Sequence, residues 1–161
     1  MQKPMRKSDR EIRSRNEILA VLSKCDVIRL AINTPDYPYI VPLSFGVESN
    51  DGSITLWFHC AHEGLKLDNI NRDPRVGFEA DCSHNLITGD KACSFTMEYE
   101  SVVGCGNIRV LNDNDDKHRG LTSIMQHYAP GKEHTFTESE IAAVCVLRLD
   151  VTHISGKRLI K

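Results

Sequence analysis

The segment Trp57–Asp68, WFHCAHEGLKLD, concentrates side chains that can do chemistry at a point where the chain changes direction. It begins as an apolar strand and continues with helical spacing. Four side chains that can bind or react lie in this segment: His59, Cys60, His62 and Lys66. Gly64 lies among them and permits a sharp turn. Such a set could hold a metal ion, supply a nucleophile, bind an anion or form only a polar turn.

Metal binding and thiol catalysis fit the spacing poorly. A zinc site built on His59 and His62 matches no familiar finger or protease spacing. The side chains that could complete it are Cys60, Cys82 and His84. His59 and His62 would point to opposite faces of a continuing strand, so they could not bind one metal ion together. A catalytic thiol at Cys60 needs a base beside it, but the adjacent His59 would also point to the opposite face. We therefore expect no metal at this segment and no catalytic thiol.

An anion site suits the segment better. A strand runs into a turn containing Gly64, and a helix begins there, so unpaired N–H groups and a partial positive charge face the turn. Lys66 adds a full charge within the first helical turn, and the histidines can donate hydrogen bonds. Together these groups could hold a phosphate. From the local sequence alone, a solvated turn with a surface lysine stays open as the alternative.

Periodicity and turn signals indicate which elements position this segment. A capping-box pattern at Ser8–Glu11 predicts a helix from about residue 9 to 24. An amphipathic pattern predicts a helix ending before Pro130, and Thr137–Glu140 is a second capping box. Asn50–Gly52 predicts a hairpin turn. Strands are predicted at 27–32, 39–47, 54–58, 75–80, 92–99, 100–111 and 143–154. The segments 92–99 and 100–111 are either two strands or one long strand bent near Ser101. A helix is predicted at 62–71 and a loop at 83–91.

Pro42 lies inside the predicted strand 39–47. A proline has no N–H to give to a ladder, so it marks an edge strand, a bulge or a ligand-facing irregularity. Six or seven short strands with hairpin connections and flanking helices predict an α+β, mainly β, antiparallel barrel. The chain shows no repeat or linker, so we expect one domain over residues 1–161.

Composition narrows the class of protein. The 20 basic residues nearly balance the 22 acidic ones, which argues against a basic nucleic-acid footprint. No apolar run approaches the roughly 20 residues of a membrane helix, and the charged N-terminus has no signal-peptide core. The six cysteines form no C-x-x-C pair and are expected to be reduced thiols, mostly in the core. We expect a cytoplasmic protein without nucleic-acid or membrane partners.

Taken together, the motifs along nearly the whole chain resemble one family, the nitroimidazole-reductase-like branch of the pyridoxamine 5′-phosphate oxidase-like flavoproteins. No single motif is strong, but their order and spacing match from about residue 5 to 158. After the charged N-terminal helix, the matching segments are PYIVPLSF at 38–45, LWFHCA at 56–61, GLK at 64–66, NRDPRV at 71–76, YESVVGCG at 99–106 and ISGK at 154–157.

The resemblance implies a split β-barrel that binds FMN at the interface of a homodimer. By position, the strand along the flavin ring corresponds to Pro42, Leu43, Ser44 and Phe45. The segment that holds the flavin chain and phosphate corresponds to His59, Cys60, Ala61, Gly64 and Lys66, with His59 as the active-site residue next to the flavin. The stretch contributed across the dimer corresponds to Tyr99, Ser101 and Val102.

The function implied by the resemblance is an FMN-dependent reduction of small electron-poor aromatics such as 5-nitroimidazoles. The alternatives are an FMN or haem carrier without a fixed substrate and, less favoured, a pyridoxamine 5′-phosphate oxidase, whose usual arginines and C-terminal segment the chain does not show. Two positions depart from the family pattern. Cys60 replaces a hydroxyl residue, which weakens a hydrogen-bond partner, and His62 has no expected role.

Overall fold

The computed structural model describes residues 5–160, and it arranges their strands in an antiparallel sheet with helices packed on it. The N-terminal half contains β1 Glu11–Ile12, α1 Arg15–Leu22, β2 Ile28–Ile32, β3 Tyr39–Leu43, β4 Gly46–Asn50, β5 Ser53–Cys60 and α2 Leu65–Arg72. The C-terminal half contains β6 Arg75–Ile87, β7 Thr96–Val110, α3 Asn114–Tyr128, α4 Glu138–Ala142 and β8 Cys145–Leu159. Residues 1–4 and 161, the ends of the predicted domain, lie outside the described residues.

The sheet is an open barrel. Its strands lie in the order β3-β2-β6-β7-β8-β5-β4, and β1 pairs with β8. Only residues 44 and 45 separate the end of β3 from the start of β4, yet these two strands are the opposite edges of the sheet. The two edges must therefore approach each other, which curls the sheet into a barrel split at residues 44–45. The predicted fold class is confirmed.

The two faces of β5 are both covered, which explains why residues 54–58 are buried without a break. Ile54, Leu56 and Phe58 fill the barrel interior. Trp57 points the other way and packs under α3. The helix approaches so closely that a Cβ at Gly120 would lie 2.8 Å from the Trp57 ring, so glycine permits this contact.

The N-terminal helix is shorter than predicted. Residues 8–10 form a 3-10 turn, and Ile12 is extended and pairs with Gly156 of β8. Ile12 is 5% exposed, so pairing with β8 buries an apolar side chain that a helix starting at residue 9 would place elsewhere. The helical segment α1 then begins at Arg15. The predicted capping box at Ser8 is therefore wrong, because a non-local pairing overrides the local pattern.

Three strand predictions also change in detail. The predicted strand 39–47 divides into β3 and β4 at the barrel split. The predicted loop 83–91 begins as strand, because β6 continues to Ile87 after a bulge in which Ser83 has a φ of 59°. Residues 96–110 form one strand, β7, and residues 92–94 a 3-10 turn. With β1 added, the described chain has eight strands rather than six or seven.

The local turn signals are confirmed. Asp51 and Gly52 both have positive φ, at 45° and 80°, and they join β4 to β5 as the Asn-Asp-Gly sequence predicts. Thr137 and Glu140 form the predicted capping box at the start of α4. None of the helices among residues 5–160 has the length and apolar character required to cross a bilayer.

Candidate functional site

The end of β5 presents two chemically active side chains to two different environments. His59 stands opposite Val146 and Cys60 opposite Cys145 in the ladder with β8. Because side chains alternate along a strand, His59 shares the α3 side with Trp57, and Cys60 faces the barrel interior. Cys60 accordingly packs against the barrel core. The structure therefore directs the Cys60 side chain towards Cys145.

His59 is exposed and lines a cavity of about 250 Å³ between β5 and the helices α3 and α4. The other lining residues are Leu121, Ile124, Met125, Phe136, Glu140 and Val144. The lining is therefore apolar except for an imidazole and a carboxylate. Sites for drug-sized ligands occupy roughly 300–1,000 Å³, so this cavity suits a smaller, flat molecule.

The carboxylate at this cavity is held in place. Glu140 accepts hydrogen bonds from the backbone N–H and the hydroxyl of Thr137, each 2.8 Å long. These hydrogen bonds lower the pKa of Glu140, the backbone N–H having the larger effect. The cavity thus has a fixed negative charge at its rim, contributed by the first turn of α4.

The loop after β5 leads into an uncapped helix N-terminus. Gly64 has a φ of 129°, a conformation that residues with a side chain rarely adopt. No other atom lies within 4 Å of the point where a Cβ would stand, so the space in front of Gly64 is open. Gly64 is the N-cap of α2 and gives the helix no side-chain cap. The first N–H groups of α2 can therefore donate to an anion.

Lys66 is half-buried in the first turn of α2. A cation at a helix N-terminus opposes the helix dipole, so this lysine does not stabilise the helix by its charge. The charge of Lys66 also acts on Cys145, the first residue of β8. Burial and the Cys60 thiol raise the pKa of Cys145 to about 11, and the positive charges of Lys117 and Lys66 oppose that rise. An anion bound at the start of α2 would give the charge of Lys66 a partner.

Two carboxylates flank Lys66 in the chain. Glu63 and Asp68 line a different cavity, of about 650 Å³, which runs beside α2. His62 lines that cavity as well, and its Nε2 lies 2.8 Å from the carbonyl oxygen of Ala142. His62 therefore fastens the loop to the end of α4. This gives His62 a structural role that the sequence did not indicate.

The predicted ring-side segment lies at the barrel split. Pro42 is exposed on the edge strand β3, opposite Arg29, which confirms the edge interpretation of this proline. Leu43 is half-buried, Ser44 is exposed and Phe45 is fully buried. Ser44 and Phe45 thus span the split itself, with one side chain outside and one inside.

Tyr128 of α3 holds the split segment. Its hydroxyl accepts a hydrogen bond of 3.1 Å from the Phe45 N–H and donates one of 2.6 Å to the Asp26 carbonyl. The ring of His127 lies 4.3 Å from the ring of Phe45, and its Nε2 lies 2.8 Å from the Cys25 carbonyl. The end of α3 therefore joins both the split and the segment before β2.

We expect Tyr128→Phe to lower the free energy of unfolding by about 1–3 kcal/mol, because the Phe45 N–H and the Asp26 carbonyl lose their shared partner. Urea denaturation measures the change, and amide hydrogen exchange should speed up at Phe45. Tyr37→Phe is the control, because Tyr37 is 77% exposed. Equal stability of the two variants would contradict this role for Tyr128.

Tyr99, Ser101 and Val102 lie far from His59 within one chain. Tyr99 pairs with Leu159, which is 13 residues along β8 from Val146, the partner of His59. That separation is roughly 40 Å of extended strand. Tyr99 and Ser101 are half-buried, and the Val102 side chain lies fully in the core.

Across the sheet, the 99–102 stretch of β7 lies at the same height along the strands as the 42–45 segment, with β2 and β6 between them. Pro42 pairs with Arg29, Arg29 with Glu79, and Glu79 with Val103. Ser44 and Phe45 directly precede Gly46, which pairs with Trp57, so they lie beside the end of β5. One chain therefore brings the split segment close to residues 59–66, and it leaves the 99–102 stretch of β7 apart, three strands from β3.

Several residues that shape the site escaped the sequence analysis: Tyr128, Phe136, Cys145, Met125 and Glu140. The first three follow from pairing between distant segments, for which a single sequence has no signal. Met125 falls on the apolar face of α3, a position that by its pattern predicts a core residue. Glu140 was recognised as a helix cap, and that same position places it at the cavity.

Other features of residues 5–160 indicate no metal centre and no further cavity with predicted site residues. No group of three or more His, Cys, Asp or Glu side chains is placed to hold a metal in that range. A cavity of about 570 Å³ lies between α3 and β4, where Arg119 binds Glu48 at 2.7 Å. None of the twelve predicted site residues lines this cavity.

Comparison with solved structures identifies similar folds. A candidate 5-nitroimidazole antibiotic resistance protein from Bacteroides thetaiotaomicron is 27% identical, with a TM-score of 0.79 over 92% of this chain and 86% of that one. An FAD- and haem-binding protein from Mycobacterium smegmatis is 18% identical, with a TM-score of 0.80 over 94% and 74%. The flavocytochrome Anf3 from Azotobacter vinelandii is 17% identical, with a TM-score of 0.79 over 98% and 73%.

The two likenesses below 25% identity concern the fold alone. No curated protein sequence matches the chain. The family model described as pyridoxamine 5′-phosphate oxidase matches residues 14–158, which include both groups of predicted site residues. The chain therefore belongs to the pyridoxamine 5′-phosphate oxidase-like family of split-barrel proteins.

Proposed function

We propose that this protein binds FMN between two copies of itself and reduces small electron-poor aromatics such as 5-nitroimidazoles. The observation that carries the proposal is the arrangement at the end of β5. His59 lines an apolar cavity on one side, and a few residues later the open N-terminus of α2 and Lys66 offer an anion site. The 27% identical solved structure and the family membership support it.

The residues present fit the phosphate end of FMN. The free space in front of Gly64 leaves room for a phosphate to approach the N–H groups of α2. Lys66 supplies a positive charge in the first turn of that helix. Cys60 contributes through its backbone, because its side chain faces the barrel core.

A second copy of the chain would complete the site. The outward face of the sheet carries exposed apolar side chains near the split, with Ile40 63% and Val103 53% exposed. The 99–102 stretch lies beside this face, whereas His59 and Lys66 lie at the end of β5, next to Ser44 and Phe45. In a homodimer, one chain would present its 99–102 stretch to the β5 end and the split segment of the other.

FMN, when bound, supplies hydride or single-electron transfer to an acceptor. The chain supplies the rest of the chemistry. The cavity beside His59 would hold a small acceptor against its apolar lining, which includes Met125 and Phe136. The His59 ring would donate a proton to a nitro oxygen as the acceptor gains electrons.

Anaerobic photoreduction tests this function. The purified protein is saturated with FMN, reduced by light with EDTA and mixed with a 5-nitroimidazole. We expect the flavin absorbance to return as the nitro absorbance disappears, much faster than with free reduced FMN at the same concentration. A reduced protein that leaves the nitro compound untouched would contradict the reductase. A Soret band in place of flavin bands would indicate a haem protein instead.

A further inference from the structure

We propose that Cys60 and Cys145 form an oxidisable dithiol, a site of reversible disulfide formation at the base of the loop that precedes α2. The two residues are direct partners in the β5–β8 ladder. Cys60 is the last residue of β5 and Cys145 the first of β8, so the pair closes this end of the ladder.

The geometry of the pair meets the requirement of a disulfide. Directly opposed residues in an antiparallel pair have Cα atoms about 4.5 or 5.5 Å apart, depending on the hydrogen-bonding pattern. Both separations lie within the range of about 4.4–6.8 Å that a disulfide needs. Opposed side chains also share one face of the sheet, and both cysteines pack in the barrel core. Only a small local contraction of the ladder is required to join them.

The two thiols already interact and differ in access to solvent. Cys145 is 4% exposed, and burial together with the Cys60 thiol raises the pKa of Cys145. Cys60 is half-buried, so it is the thiol that a dissolved oxidant can reach.

A hydroperoxide is the oxidant that suits this pair. The Cys60 thiolate attacks a peroxide oxygen of H₂O₂ and becomes a sulfenic acid, and the other oxygen leaves as water after protonation. The Cys145 sulfur then attacks the Cys60 sulfur, which forms the S–S bond and releases a second water. In sum, two thiols lose two hydrogens and H₂O₂ becomes two waters. A small dithiol reverses the reaction by thiol–disulfide exchange.

The disulfide would also alter the anion site, a consequence that depends on the proposed FMN function. Opposed Cβ atoms normally lie about 4.5–5.5 Å apart, and a disulfide brings them to about 3.8 Å. This contraction of roughly 0.7–1.7 Å acts directly before the loop 61–64, which His62 fastens to Ala142. We expect oxidation to weaken FMN binding about tenfold, since a 1 Å misplacement at a site has effects of this order or larger.

Cys25 and Cys82 form a second close pair, with thiols 3.2 and 3.9 Å from the Val21 carbonyl oxygen. The test therefore uses Cys82→Ala throughout, which leaves Cys60 and Cys145 as the directly paired thiols. The protein, without added FMN, is treated with H₂O₂, alkylated and mapped by mass spectrometry. We expect a peptide linking Cys60 to Cys145, lighter by two hydrogens, that dithiothreitol separates and that is lost in Cys145→Val.

Free Cys60 and Cys145 after treatment, or Cys60 oxidised to the sulfinic acid without a link, would overturn the proposal. The mapping needs no flavin, so its result is independent of the proposed function. FMN titration of the oxidised and reduced protein then measures the coupling, with Cys145→Val under the same oxidant as the control. Equal affinity in the two states of a protein that binds FMN would overturn the effect on the anion site.

Discussion

Replacing Lys66 by glutamate is expected to weaken FMN binding by about 100-fold. A charge-assisted hydrogen bond contributes roughly 1.5–3 kcal/mol, and each 1.4 kcal/mol changes a dissociation constant about tenfold. The glutamate also adds repulsion against the phosphate at the start of α2. Flavin fluorescence quenching measures the affinity. The fold should remain intact, because a carboxylate in the first turn of a helix suits the helix dipole.

Two variants make this experiment specific to the position. Lys91→Glu makes the same change of charge at an exposed residue before the short 3-10 helix Ala92–Ser94, and it should leave the affinity unchanged. Lys66→Arg keeps the positive charge and should retain most of the binding. If Lys66→Glu bound FMN as tightly as Lys91→Glu, Lys66 would have no part in holding the phosphate.

Replacing His59 by alanine should lower the turnover of a 5-nitroimidazole by about 10²- to 10⁴-fold, the usual contribution of a positioned proton donor. His59 is exposed, so its loss should cost little stability. FMN affinity should stay close to that of the parent protein, which separates this residue from Lys66. Stopped-flow reoxidation of the photoreduced protein measures the rate.

Two further histidine variants distinguish proton donation from simple shape. His59→Asn keeps a hydrogen-bond donor but cannot deliver a proton, so it should remain slow. His84→Ala removes an exposed histidine of β6 that pairs with Asp81 at 2.6 Å, and it should be fully active. Normal turnover by His59→Ala with FMN bound would exclude His59 from the chemistry.

The sequence predicts those parts of the molecule that depend on neighbouring residues. Asp51 and Gly52 adopt positive φ because short, flexible residues at a hairpin turn can do so. Thr137 and Glu140 cap α4 because the capping box acts across three residues. The loop from His59 to Lys66 is found for the same reason, since its glycine and charges lie within eight positions.

The remainder depends on partners that are distant in the chain. Ile12 is extended because Gly156 of β8 stands opposite it, not because of the residues beside it. The strand 39–47 divides because Phe45 binds Tyr128, 83 positions later. The environment of Cys60 depends on the register between β5 and β8. A slip of one residue in this register would turn the Cys60 side chain to the opposite face of the sheet. Such pairings follow from the closure of the barrel as a whole.

The central claim is that two copies of this chain hold FMN between the end of β5 and the barrel split in one and the 99–102 stretch in the other. Sedimentation velocity tests it most directly when it follows protein absorbance and the visible flavin band in the same run. We predict a single yellow species with twice the mass of one chain, the flavin moving with it. A colourless species of one-chain mass, with added FMN left behind at the rate of free dye, would contradict the account.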